Sequence, residues 1–309
     1  MGIKTPDSAF IRVINRRQVL ALAFGAMVGW SWVALTGVWI AGAGAVGAML
    51  AFGIGGSIVI FVGLTYAELA AAMPLVGGEH VYSYRALGRT ASFVCTWAIL
   101  LGYASVVAFE AVALPTVLEY LLPGFSRGYL WTIAGWDVNV TWVLTGALAA
   151  MAMIVINILG IRTAARLQVL VVIVVLLSGL GLMSGAVVAG DAGNAAPLFS
   201  GGLTAMLSVL VMVPFMFVGF DVIPQSAEEI NLPFAAIGKL LVISILMAIA
   251  WYALVIGAVA MGLPEAERAL SALPTADAAA ALFNGSWAGK LLVIGGVAGI
   301  LTSWNAFLI

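Results

Sequence analysis

Residues 203–233 read LTAMLSVLVMVPFMFVGFDVIPQSAEEINLP. From Leu203 to Phe220 there is no charged side chain, and then Asp221 follows at once, with Gly219 and Pro224 beside it and Pro214 upstream. Glycine loosens a helix, and proline removes a backbone donor and disfavours helix in the residue before it. An acid attached to such a break in an apolar run demands a partner, because lipid offers none.

The surrounding sequence makes lipid the solvent. Of 309 residues 64% are hydrophobic and 8% charged, and the mean hydropathy is +1.19. A soluble domain carries about a quarter charged residues. A formal net charge of −1 without a dense basic cluster excludes nucleic acid as a partner and leaves membrane lipid as one. Cys95 is the single cysteine, so no intrachain disulfide forms. The spacing predicts apolar spans at about 19–40, 44–73, 92–121, 141–160, 166–189, 203–230, 236–262 and 289–309. Continuous apolar content predicts an all-α polytopic membrane protein of about eight helices and not a β-barrel. Lys4, Arg12, Arg16, Arg17, Arg85, Arg89, Arg162, Arg166 and Lys239 flank one side of these spans, and Arg127, Arg268 and Lys290 the other. That asymmetry predicts a cytoplasmic N-terminus. The last apolar run stops at Ile309 without a basic flank, which reads as a cut in a longer chain.

Span 1 carries a second break, Gly25-Ala26-Met27-Val28-Gly29-Trp30-Ser31-Trp32. Gly25 and Gly29 also have the spacing of close helix packing. Spans 1 and 6 stand five helices apart, the separation of corresponding helices in inverted-repeat transporters, whose binding sites lie where such helices break. Half-helix N-termini attract anions and freed carbonyls attract cations, so two breaks crossing in a wet pocket suit an amino acid zwitterion.

Thr65-Tyr66-Ala67-Glu68-Leu69-Ala70-Ala71-Ala72-Met73-Pro74, then Gly77-Gly78-Glu79-His80-Val81-Tyr82 and Arg85-Ala86-Leu87-Gly88, resembles the end of helix 2 and the following loop of amino acid permeases of the amino acid–polyamine–organocation (APC) superfamily. Gly219-Phe220-Asp221 through Ala227-Glu228-Glu229-Ile230 and Pro233 is similar to that family's helix 6, and Gly299-Ile300-Leu301-Thr302-Ser303-Trp304-Asn305-Ala306 to the start of its helix 8. The resemblance runs from about residue 15 to the end. It implies one transporter domain over 1–309 with discontinuous helices 1 and 6: a first repeat at about 18–190 and part of the second at 203–309, without helices 9 and 10. It further implies a secondary transporter of amino acids or amines in the cell membrane, working by alternating access without a cofactor. Where the family's helix 1 break often reads Gly-x-Gly, this chain has Gly29-Trp30-Ser31; His80 stands where tyrosine is frequent. Residues 166–189 hold no lysine of the kind that replaces a sodium ion in some relatives.

On that resemblance the substrate-binding candidates are Ala26, Gly29, Trp30, Ser31, Trp32, Phe215, Val218, Gly219 and Asp221. The amides of Trp30, Ser31 and Trp32 face the carboxylate, and the carbonyls of Ala26, Phe215 and Val218 face the ammonium. Phe215 is the ring expected beside the substrate. Glu110, Asp221, Thr302 and Ser303 are the candidates for coupling a proton or a sodium ion or for tuning charge. Each has a plainer reading. Asp221 suits the N-cap of a short helix over 222–230, and Glu110 suits a neutral carboxyl that holds helices together. Thr302 and Ser303 suit bonds back to their own helix, and the aromatic residues suit packing. Glu79 and His80 fall in a cytoplasmic loop, solvated or bonded to a gate. Two rival functions remain: an intramembrane aspartyl protease using Glu110 and Asp221 as a proton-sharing pair, and a non-transporting membrane subunit. No HExxH, GxSxG or P-loop pattern supports an enzyme.

Overall fold

The computed structural model describes residues 12–309 apart from 74 and 76, and leaves the side chains of 234 and 235 aside. Lys4 and Pro74 of the sequence reading lie outside the described residues. The chain opens with α1 (Arg16–Val28), α2 (Ser31–Ala34), α3 (Thr36–Ala43), α4 (Ala45–Ala72), α5 (Glu79–Leu87) and α6 (Arg89–Leu121). A hairpin of β1 (Tyr129–Ile133) and β2 (Trp136–Asn139) leads to α7 (Val140–Ile158) and α8 (Ile161–Ala189). Then come α9 (Gly202–Met216), α10 (Val222–Gln225), α11 (Phe234–Gly262), α12 (Glu265–Leu270), α13 (Pro274–Leu282) and α14 (Ser286–Leu308).

Six helices among the described residues are long and apolar enough to cross a membrane: α4, α6, α7, α8, α11 and α14. The bent run α1–α3 makes a seventh if it is one span, and α9 is a shorter apolar helix of 15 residues. The eight apolar segments of the sequence fall on these elements. The small elements carry no such signal. The β-hairpin, α5, α12 and α13 form between spans, where short polar segments take their shape from neighbours and not from periodicity.

Helix α1 starts on a capping box: the Asn15 side chain accepts from the amides of Arg17 and Gln18, and the Gln18 side chain accepts from Asn15 N–H. Each satisfies an amide that a helix start leaves without a partner. Just before it, Val13 and Ile14 donate to Glu229 O, and Asn231 donates to Ile14 O. This short parallel bridge ties the start of the chain to the loop after α10. At the opposite end, Val46 and Gly47 donate to Leu198 O, and Asp191 donates to Met261 O. Arg268 on α12 donates to the carbonyls of Ala260 and Leu263, which close α11, and to Asn194 O. A cation at a helix C-terminus both fills orphan carbonyls and opposes the dipole.

Between these ends α11 lies in the middle, against α1, α4 and α8. Lipid gives helices no hydrophobic reason to associate, so they need close contact and hydrogen bonds. Glycines on α4 supply the contact: a β-carbon at Gly56 or Gly63 would run into Ile249 or Leu241 of α11. An aromatic nest of Trp39, Phe52, Phe217 and Tyr252 fills the space beside them, and Trp251 packs edge-on to Phe24 and Trp32.

Candidate functional site

Helix α1 stops at Val28 because Gly29 takes φ +45° and ψ −140°, a conformation that side chains resist. Trp30 leads into α2, and α3 continues at 68° to the run before it. Helix α9 stops at Met216 beyond Pro214; Phe217–Asp221 form irregular turns with Gly219 at φ +112°, and α10 is a single turn. The two breaks touch. A β-carbon at Gly219 would lie 2.5 Å from Ala26 Cβ, and one at Gly299 of α14 would lie 2.0 Å from Gly29 O. At these two points the crossing is tightly packed, because glycine lets the chains approach where a side chain would hold them apart. A cavity of about 1210 Å³ lies to one side, lined by Trp30, Ala34 and Leu35 together with α6, α7 and the hairpin.

The carbonyls freed by the first break have protein partners. The Tyr252 hydroxyl of α11 donates to Met27 O at 2.8 Å, shares a bond with Ser31 Oγ at 2.9 Å, and lies 3.3 Å from Met216 O at the end of α9. Ser31 Oγ also reaches Val28 O. Thr302 Oγ1 donates to Gly25 O at 3.0 Å and to Gly299 O at 2.7 Å. The Gln168 amide of α8 donates to Ala21 O and Thr302 O, and its oxygen accepts from Asn305 Nδ2. Peptide groups bared inside a bilayer must be satisfied from within the protein, and these side chains satisfy them.

The two intramembrane acids stand in different places. Glu110, 2% exposed on α6, faces the first break: a β-carbon at Gly29 would lie 3.3 Å from Glu110 Oε1 and 3.5 Å from Ser303 Oγ. Its Oε2 is buried without a hydrogen-bond partner. Asp221, 9% exposed, does not cap α10. Its Oδ1 accepts from Gly219 N–H at 3.1 Å and its Oδ2 from the Tyr103 hydroxyl of α6 at 2.5 Å. The carboxyl facing Asp221 is Glu79, not Glu110, so the acid pair that a protease would need between Glu110 and Asp221 has no counterpart in the contacts of either residue.

A family model described as "Amino acid permease" matches residues 14–309. The chain belongs to the amino acid permease family. It is 27% identical over 301 residues to the branched-chain amino acid permease BcaP of Bacillus subtilis, covering 96% of this chain and 64% of that protein. To the methylthioribose transporter of the same organism it is 22% identical over 272 residues, covering 80% and 55%. To the human cationic amino acid transporter 4 it is 27% identical over 263 residues, covering 81% and 41%. The chain thus spans about two fifths to two thirds of these relatives' length. The chain is a multi-pass membrane protein of the APC superfamily, all-α in its spans.

The structure brings together Ala26 with Gly219 and Gly29 with Glu110 and Ser303, while Ser31 meets Tyr252 and Asp221 bonds back to Gly219 N–H in the second break. It does not bring in every expected ring. Phe215 points outward, 61% exposed, because α9 runs through it and buries the Val209, Val213 and Met216 face instead. Trp30 and Trp32 are buried in helix packing, Trp30 over Gly296 of α14 and Trp32 against Trp251. Val218 is half-buried. Thr302 bonds back to its own helix, as the plainer reading expected, and also to the Gly25 carbonyl of α1. Sequence reasoning missed Tyr252, Gln168, Asn305 and Tyr103. Gln168 and Asn305 were findable, because uncharged amides inside apolar spans also need partners.

Proposed function

We propose that the protein is a secondary transporter of amino acids or related amines in the cell membrane, with a cytoplasmic N-terminus and alternating access by one helix bundle rocking against the rest. The observation that carries this reading is the contact of the two helix breaks, Gly219 against Ala26, with Gly29 of the first break seated on Gly299 of α14. The two unwound strands hold peptide groups in opposite polarities, so parting them exposes donors and acceptors at one point. The amides of Trp30, Ser31 and Trp32 would then meet a carboxylate, and the carbonyls of Ala26, Phe215 and Val218 an ammonium. Gly29 and Gly219 give the ligand access to the backbone, and Asp221 and Glu110 set the local charge. Ser303 supports Glu110, while Thr302 keeps the first break tied to α14.

The single domain comprises a first repeat at about 18–190 and part of a second at 203–309. Two of these relatives are named for branched-chain and cationic amino acids, which supports the amino acid class, and the third is named for methylthioribose, which lies outside it. The test is uptake of labelled amino acids into liposomes by the full-length protein. Asp221→Asn is expected to lower uptake tenfold or more, about 1.4 kcal/mol in transition-state terms. Absence of both uptake and binding, with Asp221→Asn equal to the parent, ends the proposal.

A further inference from the structure

Glu79 opens α5, outside the spans, yet its carboxyl turns inward and the residue is only 6% exposed. Its Oε2 accepts from the Gln225 side chain at the end of α10. Its Oε1 is buried with no hydrogen-bond partner. Gln225 lies one turn beyond Asp221, so the same short helix brings the Asp221 carboxyl up to Glu79, where its charge acts on it and the Tyr66 hydroxyl supports it. The other titratable groups around the pair are Tyr66 from α4, Tyr103 and Cys95 from α6, and Tyr82 of α5 itself. None of these carries positive charge.

Two buried carboxylates in contact cannot both stay ionised at modest cost. A buried acceptor left unpaired costs about 1–3 kcal/mol more. A hydrogen on Glu79 Oε1, donated towards Asp221, removes both costs at once. We propose that Glu79 and Asp221 bind one proton between them, forming a protonation site at the inner mouth of the second break, separate from Glu110. The proton comes from water at that end of the molecule and takes the pair from two negative charges to one; release reverses this, and no other bond forms or breaks. Losing the proton sets two like charges against each other across the joint between α5 and α10, and so favours their separation. That last step deepens the transporter reading and rests on it: the site would carry a coupling proton. The site itself does not depend on transport.

Burial first, and the charge of Asp221 second, push the Glu79 carboxyl up to about 7 from an ordinary value of 4.5. The sign follows directly. An acid raised on folding supports the fold at low pH, and that support fades as pH rises through about 7.

The test is infrared difference spectroscopy of the full chain in lipid nanodiscs during a pH titration, read at the protonated-carboxyl stretch. One such signal is expected to titrate near pH 7 in the parent. It should vanish in Glu79→Gln and move to lower pH in Asp221→Asn, where the neighbouring charge is gone. If Glu79→Gln does not fold, Asp221→Asn still reports on the same proton. The parent's melting temperature should fall across that pH interval, and Glu79→Gln should flatten the fall. A signal unchanged in both variants overturns the site. So does stabilisation by sodium without any titration, which would make it a cation site. Titration without uptake by the parent sinks the transporter reading alone; uptake with a silent pair sinks this inference alone.

Discussion

At Gly299 one methyl group is enough to separate two helices. An added β-carbon would lie 2.0 Å from the Gly29 carbonyl oxygen, and that atom is backbone, which cannot swing aside. Gly299→Ala is expected to cost about 1–3 kcal/mol through overpacking, seen as a lower unfolding temperature in detergent. Tyr252→Phe keeps the ring among Trp39, Phe52 and Phe217 and removes only the hydroxyl. It leaves Met27 O without its partner, at about 1–3 kcal/mol, checked by the same melt. Gly29 and Gly219 were legible in the sequence because glycine beside an interrupted apolar run has a backbone meaning. Phe215 was not, since its outward direction follows from the phase of α9, which buries Val209, Val213 and Met216, and one residue of helix turns a side chain by about 100°. Glu79 was placed in a loop for want of any local sign that α5 folds back over the second break.

The spans were readable at the level of elements because each is apolar along its length, and for the unbroken helices the ends matched within a few residues. The joints were not, because they are built from pairings between distant segments. Residues 222–230 illustrate this: an expected helix is one turn over 222–225, followed by a strip that bonds Val13 and Ile14 instead. Arg268 illustrates it again. The residue is a flanking charge in the sequence and a plug on the C-terminal carbonyls of α11 in the fold. Arg268→Met is expected to fray that end. Hydrogen exchange at the last turn of α11 should rise, with a stability loss of about 1–3 kcal/mol. Unchanged exchange there would mean that α12 holds the turn by packing alone.

For the whole molecule, the distribution of Lys and Arg sets an expected orientation that chemical labelling can check. Cys95 is the single cysteine, so Cys95→Ser gives a clean background. Thr132→Cys on the exposed hairpin should react with an impermeant maleimide on intact cells, and Ala86→Cys on exposed α5 only after lysis. The reverse pattern would invert the topology and place the Glu79–Asp221 pair at the outer surface.

The phenol of Tyr252 sits against the stump of α1 and the stump of α9 together. Parting those stumps breaks at least one of these contacts, so the phenol on a third helix is the shared anchor from which either stump must come away.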